Sequence, residues 1–212
     1  MIANESDNNN LIFKIMKAAL TFLVVLFVSV QISWSKAPAL VWNLDKAHSS
    51  VGFSVDHMVV SEIAGQFDDF SAEVKADKPD FTDVAFTITI QTKSINTKET
   101  KRDEHLRSPD FFDATKFPAL TFKGSKFVQV SGNKYKVTGD LTMHGITKTV
   151  TLDAKFGIIK DPYGNTRAGI VVTGELDRYD FGLKYNSVLE AGGLAVGQTV
   201  RLNCNFEFVK AK

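Results

Sequence analysis

Residues 94–118 read S-I-N-T-K-E-T-K-R-D-E-H-L-R-S-P-D-F-F-D-A-T-K-F-P, and this stretch alone interrupts a chain that otherwise alternates apolar and polar residues. Alternation with a period of two is the mark of half-buried strands. Inside the interruption, Asn96 followed three residues later by Glu99 is a helix-start pattern, because both side chains can satisfy free backbone N–H groups. The spacing predicts a short, highly charged helix from Lys98 to Arg107 with Leu106 as its one large apolar residue. Pro109 ends it, having no N–H and disfavouring a helical residue before it. Phe111 and Phe112 follow. Two adjacent phenylalanines are too apolar for a solvated loop, so residues 97–113 read as a helical cap closing one end of a β structure.

Outward from the cap, the strands are legible on both sides. On the N-terminal side Val41 to Asp45 is a first short strand. Val51, Phe53 and Val55 then alternate with Ser50, Gly52 and Ser54. Ile63 to Ala76 reads as one longer strand whose phase slips, which a bulge near Asp68-Asp69 would explain. Lys78-Pro79-Asp80 is a turn, and Val84, Phe86, Ile88 and Ile90 share a face. On the C-terminal side, Leu120 and Phe122 start a strand expected to turn at Gly124-Ser125. Turns are also expected at Ser131-Gly132-Asn133, Met143-His144-Gly145 and Asp161–Asn165. Asn186 to Gly197 is a glycine-rich connection. The last strand is the clearest, with Val200, Leu202, Cys204, Phe206 and Phe208 against Thr199, Arg201, Asn203, Asn205 and Glu207. About eight to ten antiparallel strands with one apolar face each suit a barrel or a sandwich, and long strands joined by short turns favour the barrel. The expectation is an all-β, antiparallel eight-stranded barrel, whose interior is filled by side chains or holds one slender ligand.

Composition sets further bounds. A length of 212 residues suits one or two domains, and a net charge of +1 gives no reason to expect nucleic acid as a partner. The single cysteine, Cys204, excludes an internal disulfide. Lys17, the apolar run Ala18–Val30 and the small residues near Ser35 and Ala39 have the order of a secretory signal. Residues 1–37 are therefore assigned to a leader, cleaved near 35–39, and residues 40–210 to the barrel. Glu5 and Asp7 offset Lys14 and Lys17, which makes Met16 a candidate start. The apolar run is shorter than the roughly 20 residues that span a bilayer, so the mature protein is expected not to be membrane-anchored, in the periplasm.

Candidate chemistry is sparse. The four histidines, His48, His57, His105 and His144, include no pair at helical ligand spacing. A metal-dependent enzyme using His48, His105 and His144 is kept as an alternative, as is a solid, non-catalytic stress-response barrel. Cys204 lies on an apolar strand face, where a thiolate is disfavoured. No nucleophile elbow, phosphate loop or dinucleotide fingerprint is present. Arg102, Arg107 and His105 could meet an anionic head group at the barrel mouth, or Arg102 could pair with a carboxylate and hold the cap. The seventeen phenylalanines either fill the barrel or line a tunnel.

The motifs together resemble the YceI-like family of secreted bacterial proteins. They are Trp42-x-x-Asp45-x-x-His48-Ser49 with Val51-x-Phe53, Gly65-x-Phe67, Ser94-Ile95-x-Thr97, Arg102-Asp103-x-His105-Leu106 and Asp110-Phe111-Phe112-Asp113. Phe117-Pro118, Gly139-Asp140-Leu141-Thr142-x-His144-Gly145-x-Thr147-Lys148 and Arg178-x-Asp180-Phe181-Gly182 complete the set. The resemblance implies a lipocalin-like barrel holding a long isoprenoid lipid, such as a polyprenyl phosphate or quinone, with no enzymatic activity and no cofactor besides that ligand. The residues expected to contact it are Phe53, Phe67, Phe86, Arg102, His105, Leu106, Phe111, Phe112, Phe122, Phe156 and Phe206. A homodimer is left open. A buried methylene contributes roughly 0.8 kcal/mol against an association cost of about 4–15 kcal/mol. Micromolar binding, about 8 kcal/mol net, then needs from about fifteen to nearly thirty buried carbons.

Overall fold

The structure, a computed structural model, describes residues 40–76, 78, 81, 83–188 and 194–211, which lie in one compact unit spanning 38–212. The expected leader, and Pro79 and Asp80 of the first expected turn, lie outside the described residues. The chain forms β1 (Leu40–Leu44), β2 (Ser50–His57), β3 (Ser61–Phe67), β4 (Phe70–Ala76), β5 (Ala85–Gln91) and β6 (Ile95–Asn96). The helix α1 (Thr100–Arg107) is followed by β7 (Ala119–Ser131), β8 (Lys134–Met143), β9 (Ile146–Lys160), β10 (Thr166–Asp177) and β11 (Val196–Lys210).

Every pairing is antiparallel, and the ring β1-β4-β5-β7-β8-β9-β10-β11 closes through β1–β11 to give an eight-stranded barrel. The remaining segments continue three of these strands. β2 runs on from β1 beside β11, β3 pairs with β2, and β6 pairs with β3. The break lies at matching positions in all three. At Asp45 the backbone N–H reaches Glu207 O at 2.8 Å. At Asp68-Asp69, Asp68 N donates to Ser94 O at 3.0 Å and Gln91 N to Asp69 O at 2.9 Å. The phase slip between Ile63 and Ala76 is this shared bend, and it divides the single strand read from sequence into β3 and β4.

The expected turn at Gly124-Ser125 is not one. β7 continues through it for 13 residues, and the register with β8 shifts between Gly124 and Lys126 as a bulge. Gly124 is needed because the Phe86 ring lies across it; a Cβ there would sit 2.1 Å from Phe86 Cζ.

Side chains alternate across the wall as the pattern demands. Val200, Leu202, Cys204, Phe206 and Phe208 of β11 face the lumen. Asn203 is exposed, and Arg201 of the opposite parity pairs on the outside with Asp56 and Glu62. Barrels that span a bilayer carry the reverse arrangement, apolar outside and polar inside. Among the described residues no helix is long and apolar enough to cross a membrane.

Candidate functional site

The helical segment begins later than its sequence suggests. Asn96 is not the N-cap; it sits in β6 opposite Gln66, its Oδ1 accepting from Lys98 N at 2.9 Å and its Nδ2 donating to Asp68 Oδ2 at 2.8 Å. Lys98 turns the chain with a φ of 63°. Glu99 then caps α1, its carboxylate accepting from Lys101 N at 3.1 Å and Arg102 N at 2.5 Å, where an acid also suits the helix dipole.

The cap is anchored by arginines to backbone oxygens. Arg102 donates from Nε to Thr97 Oγ1 at 2.7 Å and from Nη2 to Thr97 O at 2.8 Å. Buried Asp103 accepts from Thr97 N at 2.8 Å and from the Thr97 hydroxyl at 2.6 Å. Arg107 reaches Lys93 O at 2.7 Å and Ile95 O at 2.6 Å. Beyond Pro109 the chain folds back, Phe112 N donating to Leu106 O at 3.0 Å and Asp113 N to Ser108 O at 2.9 Å. That reversal carries Phe111 and Phe112 to the lumen. Phe112 meets Phe67 edge-on at 5.9 Å, and Phe111 packs on Tyr185 at 4.9 Å.

The barrel is hollow. A cavity of about 220 Å³ lies within it, and its open wall is wholly apolar. Nine of the residues expected at a ligand site line it: Phe53, Phe67, Phe86, Leu106, Phe111, Phe112, Phe122, Phe156 and Phe206. Arg102 and His105 do not. Arg102 is turned to Thr97 rather than to a carboxylate or to the mouth. His105 lies on the outer side of the cap, with Nε2 3.0 Å from Asp110 Oδ2 and its ring against Phe111 and Tyr185 at 5.1 and 4.7 Å.

The sequence reading missed Arg178. It lines the cavity and is 3 % exposed, yet its guanidinium points away, donating to Gly197 O at 2.8 Å, to Val196 O at 3.2 Å and to Leu183 O. Burial pulls its pKa below the usual arginine value, while the nearby Tyr179 and Asp177 charges pull the other way. An arginine between Asp177 and Asp180 reads as a surface ion pair. Only the chain reversal at Gly182, where φ is 77°, brings the three carbonyls round it. Cys204 also lines the cavity, and burial pushes its thiol up to about 11, which removes it as a nucleophile at neutral pH.

The three histidines of the metal alternative have separate partners. His48 Nδ1 is 3.0 Å from Asp45 Oδ2, His105 is with Asp110, and His144 Nδ1 is 3.2 Å from Phe181 O. Among the described residues one cluster has donors close enough for a metal, Asp45, His48 and Glu207, and it includes neither His105 nor His144. It already holds a cation: Arg167 Nη1 is 2.9 Å from Asp45 Oδ2 and 2.5 Å from Glu207 Oε1.

Residues 42–208, nearly the whole barrel, match the sequence profile of the YceI-like domain. The chain belongs to the YceI-like family. UPF0312 proteins of Staphylococcus aureus are 41% identical over 169 residues, covering 79% of this chain and 96% of the relative. The solved Campylobacter jejuni YCEI protein is 33% identical, with a TM-score of 0.64 over 80% of this chain and 98% of its own. Burkholderia cenocepacia BcnA superposes with a TM-score of 0.67 at 25% identity, covering 78% of this chain and 99% of its own. A polyisoprenoid binding domain from Saccharophagus degradans, at 17% identity and a TM-score of 0.59, covering 81% of this chain and 99% of its own, shares the fold.

Proposed function

We propose that this YceI-like barrel is a non-catalytic binding protein that carries or sequesters a long-chain isoprenoid or related amphiphilic lipid in its lumen, and that it does so in the periplasm. The observation that carries this reading is the cavity inside the barrel, without a polar atom on its open wall. Such a space favours a chain whose burial is driven by the hydrophobic effect alone. The Saccharophagus degradans domain of the same fold is a polyisoprenoid binding domain, which supports the same ligand class. The periplasmic assignment rests on the signal-like order of residues 17–39.

The cavity's size refines the reading. An apolar cavity of about 150 Å³ takes up benzene, so by proportion 220 Å³ takes roughly nine carbons. A chain of fifteen or more carbons must then displace Phe111 and Phe112 or extend past them through the capped end. With no charge open to the lumen, a phosphate or other polar head group stays outside.

Native mass spectrometry of protein recovered from the periplasm tests the proposal. The expected result is a co-purified lipid of discrete mass, or stoichiometric uptake of an added long-chain isoprenoid alcohol. A protein that carries nothing and takes up nothing would overturn it.

A further inference from the structure

The rim of the barrel at the α1 end carries an exposed apolar ridge. β2 and β3 are joined by Met58, Val59 and Val60, which are 45, 75 and 86 % exposed. Val60 N donates to His57 O at 3.2 Å, closing a tight turn around Met58 and Val59, whose φ angles are 50° and 64°. Two successive positive φ values define the mirror-image hairpin turn that Asn-Gly adopts most readily, and for a β-branched valine that backbone is strained. The β8–β9 hairpin at the same end meets the same demand with His144-Gly145, at 51° and 75°. The β2–β3 tip therefore keeps residues that suit neither its backbone nor water. Beside it, Val188 and Leu194 are bridged to each other and are 81 and 38 % exposed. Met58 N, donating to Ala195 O at 3.0 Å, ties the two loops together.

We infer that this ridge docks the barrel on a lipid bilayer, with Met58, Val59 and Val60 inserted next to the opening through which a lipid chain enters. The inference rests on the lipid-binding reading above and adds the surface on which loading takes place. Continuity with the cavity is the first support. Val55, three residues before the turn, lines the cavity, as does Val196, the strand partner of His57. A chain moving between a bilayer and the lumen along this rim passes from the valines of the tip to Val55 and Val196, with His57 the one polar side chain on that face of β2. Scale is the second. A narrow tip of a few side chains is far short of the roughly 800 Å² per partner that a stable protein interface buries, whereas insertion into hydrocarbon needs no shape complementarity. Charge is the third. Arg201 beside the tip is shared by Asp56 and Glu62, at 2.9 and 3.5 Å, which leaves no cationic excess among the three to draw the tip to anionic lipid, so the attraction is apolar and a zwitterionic membrane suffices.

The test is flotation of residues 38–212 with phosphatidylcholine vesicles. This piece omits the apolar run at 18–30, and the relatives, 96% covered by the match, consist almost wholly of the same barrel. The wild-type barrel is expected to float at low and high salt alike. Val59→Asp/Val60→Asp should lower the bound fraction at least about tenfold, given what burying two valines contributes. Met58→Asn/Val59→Gly, which supplies the residues the turn prefers, should also lower binding while raising the melting temperature. Loading of a long-chain isoprenoid alcohol from detergent, run in parallel, should be unchanged in both variants, and transfer from vesicles should slow. A wild-type barrel that loads but does not float overturns the docking and leaves the lumen reading standing. One that floats but does not load overturns the lumen reading and leaves the docking. A folded variant that floats as well as wild type overturns the docking. So does a dimer, seen by sedimentation, that dissociates in Val59→Asp/Val60→Asp, because the ridge would then serve a second copy of the chain.

Discussion

At the end of the barrel where β9 turns into β10, closure is made by the strand ends and the connections between them. Arg167 joins Asp45, Asp161 and Glu207 at 2.9, 2.8 and 2.5 Å, and Phe81 packs between Trp42 and Phe156 at 4.9 Å from each. At the opposite end closure is made by an insertion. α1 and the Phe111–Phe112 reversal lie over the mouth, and Arg102, Arg107 and Arg178 fasten that end by hydrogen bonds to backbone carbonyls. Ion pairs between strands hold the wall together, so opening that end means breaking ladder. Arginine-to-carbonyl bonds hold segments that can move while the ladder stays intact. On that difference the α1 end is the one proposed to open.

The largest expected effect breaks the fixed end. Phe81→Ala removes a ring that is 4 % exposed and packed on both sides, at a cost of about 3–5 kcal/mol. Urea denaturation should show the midpoint falling with little change in slope. A loss no larger than that of Phe111→Ala would erase the distinction between the ends. Arg178→Lys comes next. An ammonium group cannot reproduce the planar fork that reaches Leu183, Val196 and Gly197, so at least one buried carbonyl loses its donor, costing about 1–3 kcal/mol. The loss should appear first as faster proteolysis between residues 182 and 195, with the strands still protected from hydrogen exchange. Uniform loss of protection would place Arg178 in the wall rather than the gate.

How much of this was legible in the sequence follows from the kind of information each feature needs. The lumen face could be read because strand alternation is local: β11 was assigned residue by residue, and nine of the proposed contact residues do line the cavity. The strand breaks were harder. The slip at Asp68-Asp69 was visible as a change of parity, but a bend shared by three strands depends on Asp45 meeting Glu207, and Asp69 meeting Gln91 and Ser94, across the sheet. At Gly124-Ser125 glycine looked like a turn because it usually marks one, whereas here it makes room for Phe86. Charged residues were read least well. Arg102, His105 and Arg178 each sit among acids in sequence, yet Arg102 and Arg178 choose backbone oxygens whose positions only the folded loops create.

Replacing Phe111 and Phe112 with alanine has the next largest expected effect and sharpens the gate itself. Both rings line the cavity mouth, and a bound chain loses roughly two methylenes' worth of contact without them, so release should speed up about tenfold or more. Cys204, buried in the lumen, reports the opening without any ligand: its slow reaction with an uncharged thiol reagent, followed at alkaline pH where part of the raised thiol ionises, should accelerate in the double variant. Far-ultraviolet circular dichroism should be unchanged, because the ladder is untouched. Unfolding, or an unchanged release rate in a folded barrel, would make the pair ordinary core.

The smallest effect is a pH dependence that should be confined to the fixed end. The Arg167 guanidinium, helped by Asn165, holds Asp161 down to about 2 from its ordinary 3.8. Hydrogen bonds to His48 and Arg167 also lower Asp45, and Asp161, Asp45 and Glu207 together raise Arg167 above its usual range. A carboxylate depressed on folding stabilises fully above its ordinary pKa, and that contribution disappears as pH falls through the folded value. Asp161→Asn should therefore melt below wild type at neutral pH, with the gap constant down to about pH 4 and closing toward about pH 2. The gap is expected to be modest, since these ions lie at a rim where water screens them. The deficit of Arg178→Lys rests on carbonyls, which do not titrate, so it should stay nearly constant over the same range. Melting curves of both variants across that range decide the matter. If the Asp161→Asn gap does not close in acid, or if the Arg178→Lys deficit closes with it, the two ends are not held by different kinds of bond.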